Sequence, residues 1–134
     1  MLCTTQMHTH NLPRRDRLTG QINIDALFAN GRKFTQFPLR VIWLIKPDTE
    51  GVAVLFSVAK KRFRHAVDRN RVKRLLRATY RAHRLWTDTA ATARNCGLHI
   101  AFVMLNDQLP DYAQIDLQME TALQHIANQM HTNN

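Results

Sequence analysis

The chain has 134 residues, 45% of them hydrophobic, a length and composition that fit one domain with a single core. Its formal net charge of +9 and pI near 10.6 point to a polyanionic partner, either nucleic acid or an anionic membrane surface. No apolar run approaches the roughly 18–20 residues of a membrane helix, and the N-terminus lacks the apolar core of a secretory signal. Two cysteines, Cys3 and Cys96, match no zinc spacing, so a cytoplasmic protein with reduced thiols is expected.

Residues 1–16 read as a polar, mobile arm, 17–130 as the domain and 131–134 as a tail. In "LTGQINIDALFANG", Ile24, Leu27 and Phe28 recur at i, i+3, i+4. That spacing predicts a short helix closed by Gly31 at its C-terminal cap. "RKFTQFPLRVIWLIK" is rich in β-branched and aromatic residues; it predicts a strand over Leu39–Lys46, with a short one before it near Lys33–Gln36. "PDTEG" is a turn by composition, and "VAVLFSV" is a second long strand, able to pair with the first as a hairpin. The basic segment and its helix follow. "TDTAATARNCG" reads as a polar connection, with at most a helical turn, and "LHIAFVML" as a buried strand. In the last segment Ile115, Met119, Leu123, Ile126 and Met130 fall at three- or four-residue steps. They predict an amphipathic helix over 112–130, with Asp111 as its N-cap. The order α-β-β-β-α-β-α gives one α/β sandwich.

The charge is concentrated. From Val58 to Arg84 lie 11 of the 19 basic residues and one acid, Asp68, which leaves 8 basic and 9 acidic residues elsewhere. A helix started at Ala66 and stepped by about 100° per residue places Arg69, Lys73, Arg84, Arg77, Asn70, Arg81 and Arg74 within an arc of about 140°. Val72, Leu75, Leu76 and Thr79 fall opposite, in an arc of about 100°, with Tyr80 on the border and Arg71 on the flank. Arg69, Lys73, Arg74, Arg77 and Arg81 lack acids four residues away that would pair their charges. Such a face is built for an external anion, and arginine offers phosphate bidentate donors. Lys60, Lys61 and Arg64 extend it into the strand–helix connection. Asn70, between two arginines, can bond a base edge or ribose, or serve equally as a local cap or turn residue.

"KKRFRHAVDRNRVKRLLRATYR" resembles the signature of the protein subunit of bacterial ribonuclease P. The Arg69-Asn70-Arg71 core, then Lys73-Arg74, Arg77 and Arg81, matches the family's arginine motif, as do Lys60-Lys61 and Ala66-Val67 around it. Arg17-Leu18, Phe28, Gly31 and Phe34 follow the order of the family's first helix. The resemblance covers about residues 14–128. Ala78 departs from it, standing where many members have an acid or amide. So do Arg64-His65, in place of a small Gly-Asn pair, and Ile24, at a position often aromatic.

The resemblance implies an α-β-β-β-α-β-α two-layer sandwich with a left-handed β-α-β crossover, against the usual right-handed rule. It implies endonucleolytic removal of the 5′ leader of precursor tRNA, in which the catalytic RNA subunit carries the active site. Mg²⁺ is then held by the RNA subunit and substrate, not by the protein. Lys60, Lys61, Arg64, Arg69, Asn70, Arg71, Lys73, Arg74, Arg77 and Arg81 would bind RNA. Phe28, Phe34, Val41 and Trp43 would line a leader cleft between the first helix and the sheet. The expected partners are the ribonuclease P RNA and precursor tRNA, with no membrane and no DNA. No catalytic residue or metal site is expected in the chain: the seven histidines are scattered, with His8 and His10 in the arm. A general RNA- or DNA-binding module and a stand-alone protein nuclease are the alternatives. A helix-turn-helix regulator fits less well, because a strand precedes the basic helix.

Overall fold

The structure, a computed structural model, describes residues 17–132. The expected arm, with Cys3, His8 and His10, lies outside the described residues. The chain runs α1 (Gln21–Asn30), β1 (Arg32–Gln36), β2 (Leu39–Lys46), β3 (Gly51–Ser57), α2 (Ala66–His83), α3 (Leu85–Arg94), β4 (Gly97–Met104) and α4 (Tyr112–Thr132). It forms the expected α/β sandwich, with one helix more than the residue pattern predicts. None of the described helices is long and apolar enough to cross a membrane.

The strand order is β1-β2-β4-β3. β1 and β2 form a hairpin across Phe37-Pro38, with Phe34 opposite Val41 and Arg32 opposite Trp43. β2 pairs antiparallel with β4, and β3 pairs parallel with β4. The expected β2–β3 hairpin is therefore corrected: β4 lies between the two strands. A turn-like linker allows a hairpin but does not require one. The apolar β4 runs beside both strands and buries its two faces there. The parallel β3–β4 pair, joined through α2 and α3, is the β-α-β unit for which the resemblance implies a left-handed crossover.

The residues 87–97, read as a connection, hold most of α3. Its buried side chains are Thr87, Ala90 and Ala91, too small and too weakly apolar to mark a face in the sequence. Arg84 Nε donates to Asp88 Oδ2 at 2.8 Å across its first turn, and Asn95 closes it in the left-handed region at φ 55°. α4 runs two residues past the predicted 112–130, through His131 to Thr132.

Strand alternation divides the sheet into two faces. Leu39, Val41, Trp43, Val52, Val54, Leu98, Ile100, Phe102 and Met104 belong to the large core. Val72, Leu76 and Tyr80 of α2 and Ile115, Met119, Leu123 and Ile126 of α4 complete it. On the opposite face Ile42 and Ala101 join Leu18 and Leu27 in a small cluster beneath α1. Gly31 makes that approach possible: a Cβ there would sit 2.5 Å from the Leu27 carbonyl oxygen and 2.8 Å from Ile42 Cγ2. Its φ of −72° needs no glycine, so close packing is what requires one.

Candidate nucleic-acid interface

The basic surface begins where β3 ends. Phe63 is buried in the large core, and the amides of Arg62 and Phe63 both donate to the Ala59 carbonyl, at 3.1 and 3.2 Å. This tight turn directs Lys60, Lys61 and Arg64 out to solvent. Arg69 Nη1 donates to the carbonyls of Phe63 (2.9 Å) and Arg64 (3.0 Å), tying the turn to the first part of α2. Arg69 thus has a structural role as well as a charge.

Along α2 the expected segregation is present. Val72, Leu76, Thr79 and Tyr80 are buried, and Leu75 is half-buried against the same core. Tyr80, on the border by helical angle, goes inside, its ring centroid 6.1 Å from those of Phe56 and Phe102. Asn70, Arg71 and Arg74 are exposed, while Lys73, Arg77 and Arg81 are half-buried along their stems. Asn70 lies inside α2, past its first turn, so it is not the helix cap. Burial holds the Arg77 guanidinium below its usual pKa, and the like charges of Arg17 and Arg74 push it the same way. Arg17 was not among the expected site residues; its backbone bridges to Val54 on the β3 edge. Asp88 compensates the charge of Arg84 at the end of the helix.

The expected leader-cleft residues do not gather. Phe28 lies on α1 and is 36% exposed. Val41 and Trp43 are 0% and 2% exposed in the large core, on the far side of the sheet from α1. Phe34 is on their side, its ring centroid 4.3 Å from that of His125 on α4. Val41 and Trp43 thus sit within the large core, and Phe34 is partly buried against it. The sheet face on the α1 side presents Ile42, Leu44, Ala53, Leu55 and Val103. A signal for this was available. Arg40 has the parity of Ile42 and Leu44, and an exposed arginine within a strand marks the thinly covered face.

His99 lies on that same face, 9% exposed, and its Nδ1 has no hydrogen-bond partner. Burial lowers its pKa, Lys46 lowers it further and Asp48 opposes them. Among the described residues, no three His, Cys, Asp or Glu side chains gather in a group that could hold a metal ion.

The family model described as Ribonuclease P matches residues 12–127. The ribonuclease P protein component of Porphyromonas gingivalis is 37% identical over 125 residues, which span 92% of this chain and 91% of that protein. That of Nitrosomonas eutropha is 38% identical over 81 residues, 60% of this chain and 67% of the relative. Among solved structures, the ribonuclease P protein of Thermotoga maritima superposes with a TM-score of 0.67 at 17% identity, covering 83% of this chain and 97% of that one. The Staphylococcus aureus protein superposes with a TM-score of 0.58 at 18% identity, covering 89% and 98%. At those identities the structural likeness speaks to the fold.

Proposed function

Because the chain belongs to the ribonuclease P protein family, we propose that it is the protein subunit of a ribonuclease P that removes the 5′ leader of precursor tRNA. The observation that carries this reading is the basic surface running from Lys60 through Arg81. Its charges lie on one face and find too few acids within the chain to balance them. The RNA subunit docks on that surface, with Arg71, Arg74, Arg77 and Arg81 taking phosphates and Asn70 a base edge or ribose. Lys60, Lys61 and Arg64 add contacts from the turn. The 5′ leader runs between α1 and the thinly covered sheet face, past Phe28, Leu55, Val103 and Arg40. The chemistry of phosphodiester hydrolysis is supplied by Mg²⁺ held by the RNA subunit and substrate. This chain's part is binding, orientation and charge neutralisation, carried out in the cytoplasm.

Reconstitution tests the proposal. The protein is mixed with the ribonuclease P RNA of the same cell, and cleavage of precursor tRNA is followed at low and high Mg²⁺. Cleavage at the mature 5′ end at low Mg²⁺, where the RNA alone fails, is the expected result. Binding that is equal for unrelated RNAs and leaves cleavage unchanged would show a general RNA-binding module instead. Cleavage by the protein with Mg²⁺ but without RNA would place the active site in this chain.

A further inference from the structure

The flank of α2 holds a feature that phosphate binding alone does not use. Arg71, Arg74, Leu75 and Ala78, with Pro110 from the loop before α4, line a groove of about 340 Å³. That volume is at the small end of the roughly 300–1,000 Å³ typical of ligand sites. Its floor is apolar, and it is firm, because Leu75 packs on the large core. Its rim carries the two exposed guanidiniums of Arg71 and Arg74. Beside Pro110 in the chain, Leu109 and Tyr112 remain 44% and 49% exposed.

We propose that this groove seats an unpaired nucleobase of a bound RNA, with Arg71 and Arg74 taking the phosphates on either side of it. This rests on the reading of the basic face as an RNA-binding surface and names the kind of RNA that surface takes. An apolar floor gains nothing from a phosphate. A duplex keeps its base faces stacked inside and offers the helix sugar, phosphate and base edges, but no base face. A base swung out of a single strand presents an apolar face to Leu75, Ala78 and Pro110, and its phosphates lie within reach of the rim. The offset of Arg71 from the main basic arc then has a reason, since that offset puts its guanidinium on the groove. The methyl group of Ala78 is what leaves room for the base.

The test compares Ala78→Leu, which fills the groove without changing charge, with Ala78→Ser, which leaves it open. Both are checked for native melting, with Ala78→Gln as a second filling variant. Three probes are titrated across a range of salt: a short single-stranded oligouridine, an RNA duplex of matching length, and ribonuclease P RNA. Ala78→Leu is expected to lose roughly tenfold in affinity for the single strand and for ribonuclease P RNA, as loss of one stacked base would give. Its salt slope should match that of the unmodified protein, because every phosphate keeps its cation. Duplex binding should change by less than about twofold, and Ala78→Ser, which leaves the groove open, should lose less affinity for the single strand than Ala78→Leu. Equal losses on single strand and duplex, or no loss on either, would overturn the proposal. The two readings fail separately. If ribonuclease P RNA is ignored while oligouridine binding still depends on the groove, the subunit reading falls and the groove stands. If cleavage is supported and Ala78→Leu changes no affinity, the groove falls and the subunit reading stands.

Discussion

The two faces of the sheet are covered in different ways. One carries α2, α3 and α4 over a continuous core in which Val41, Trp43, Ile100 and Phe102 are almost wholly shielded from water. Among the described residues, the other carries α1, anchored by Leu27 on Ile42 and Ala101 with Leu18 beside it, and leaves Leu44, Leu55 and Val103 only partly covered. Burial of apolar surface is the main favourable term in folding, so the deep face holds most of the stability. The thin face and the outside of α2 are free to present groups to a partner. A side chain can be aromatic, sit on a central strand and have nothing to do with binding if its parity sends it to the deep face.

Trp43→Ala breaks the comparison most sharply. It should cost about 3–5 kcal/mol in a urea denaturation. A small stability loss with a large loss of leader affinity would instead return Trp43 to the cleft. Arg69 and Arg74 separate the two roles on one helix. Arg69→Ala should lower stability by about 1.5 kcal/mol, as its guanidinium lets go of two carbonyls, and should also weaken RNA binding. Arg74→Ala should leave stability within about 0.5 kcal/mol and lower the salt slope of RNA binding by roughly 0.7–0.9 for each phosphate that the arginine neutralises.

His99 sharpens the thin face. Its pKa in the folded protein lies below its ordinary value of 6.5, so the unfolded chain takes up the proton more readily. Its contribution is complete above that ordinary value and declines as the pH falls below it. Thermal melts between about pH 5 and 8 should show the decline, and His99→Gln should flatten it. The smallest effect belongs to Phe28→Ala, which should change stability by less than about 1 kcal/mol because the ring is partly exposed. Its effect should appear in the affinity for leader-bearing precursor tRNA relative to mature tRNA.

Much of α2 and α4 was legible in the residue pattern. Both helices repeat large apolar residues at three- and four-step spacing, and that local period shows which side turns inward. α3 was not legible, because its inward residues are threonine and alanine. The β2–β3 pairing was misread because a turn between two strands says nothing about a third strand arriving from residues 97–104. The side of the sheet on which the expected cleft residues lie was hidden for a related reason. β2 is apolar at both parities, so its alternation puts Val41 and Trp43 on one face without showing which helix covers it; Phe34 joins that face from β1, opposite Val41.

Sequence alone determined the charged face of α2. Helical period is a property of neighbouring residues, and eleven cations against one acid in a single segment need no partner element to be recognised. Tertiary structure alone decided the strand order, the side of the sheet that α1 takes and the groove between α2 and Pro110. Each depends on residues far apart in the chain meeting, and such contacts are chosen by competition among whole faces for burial, which no local pattern records.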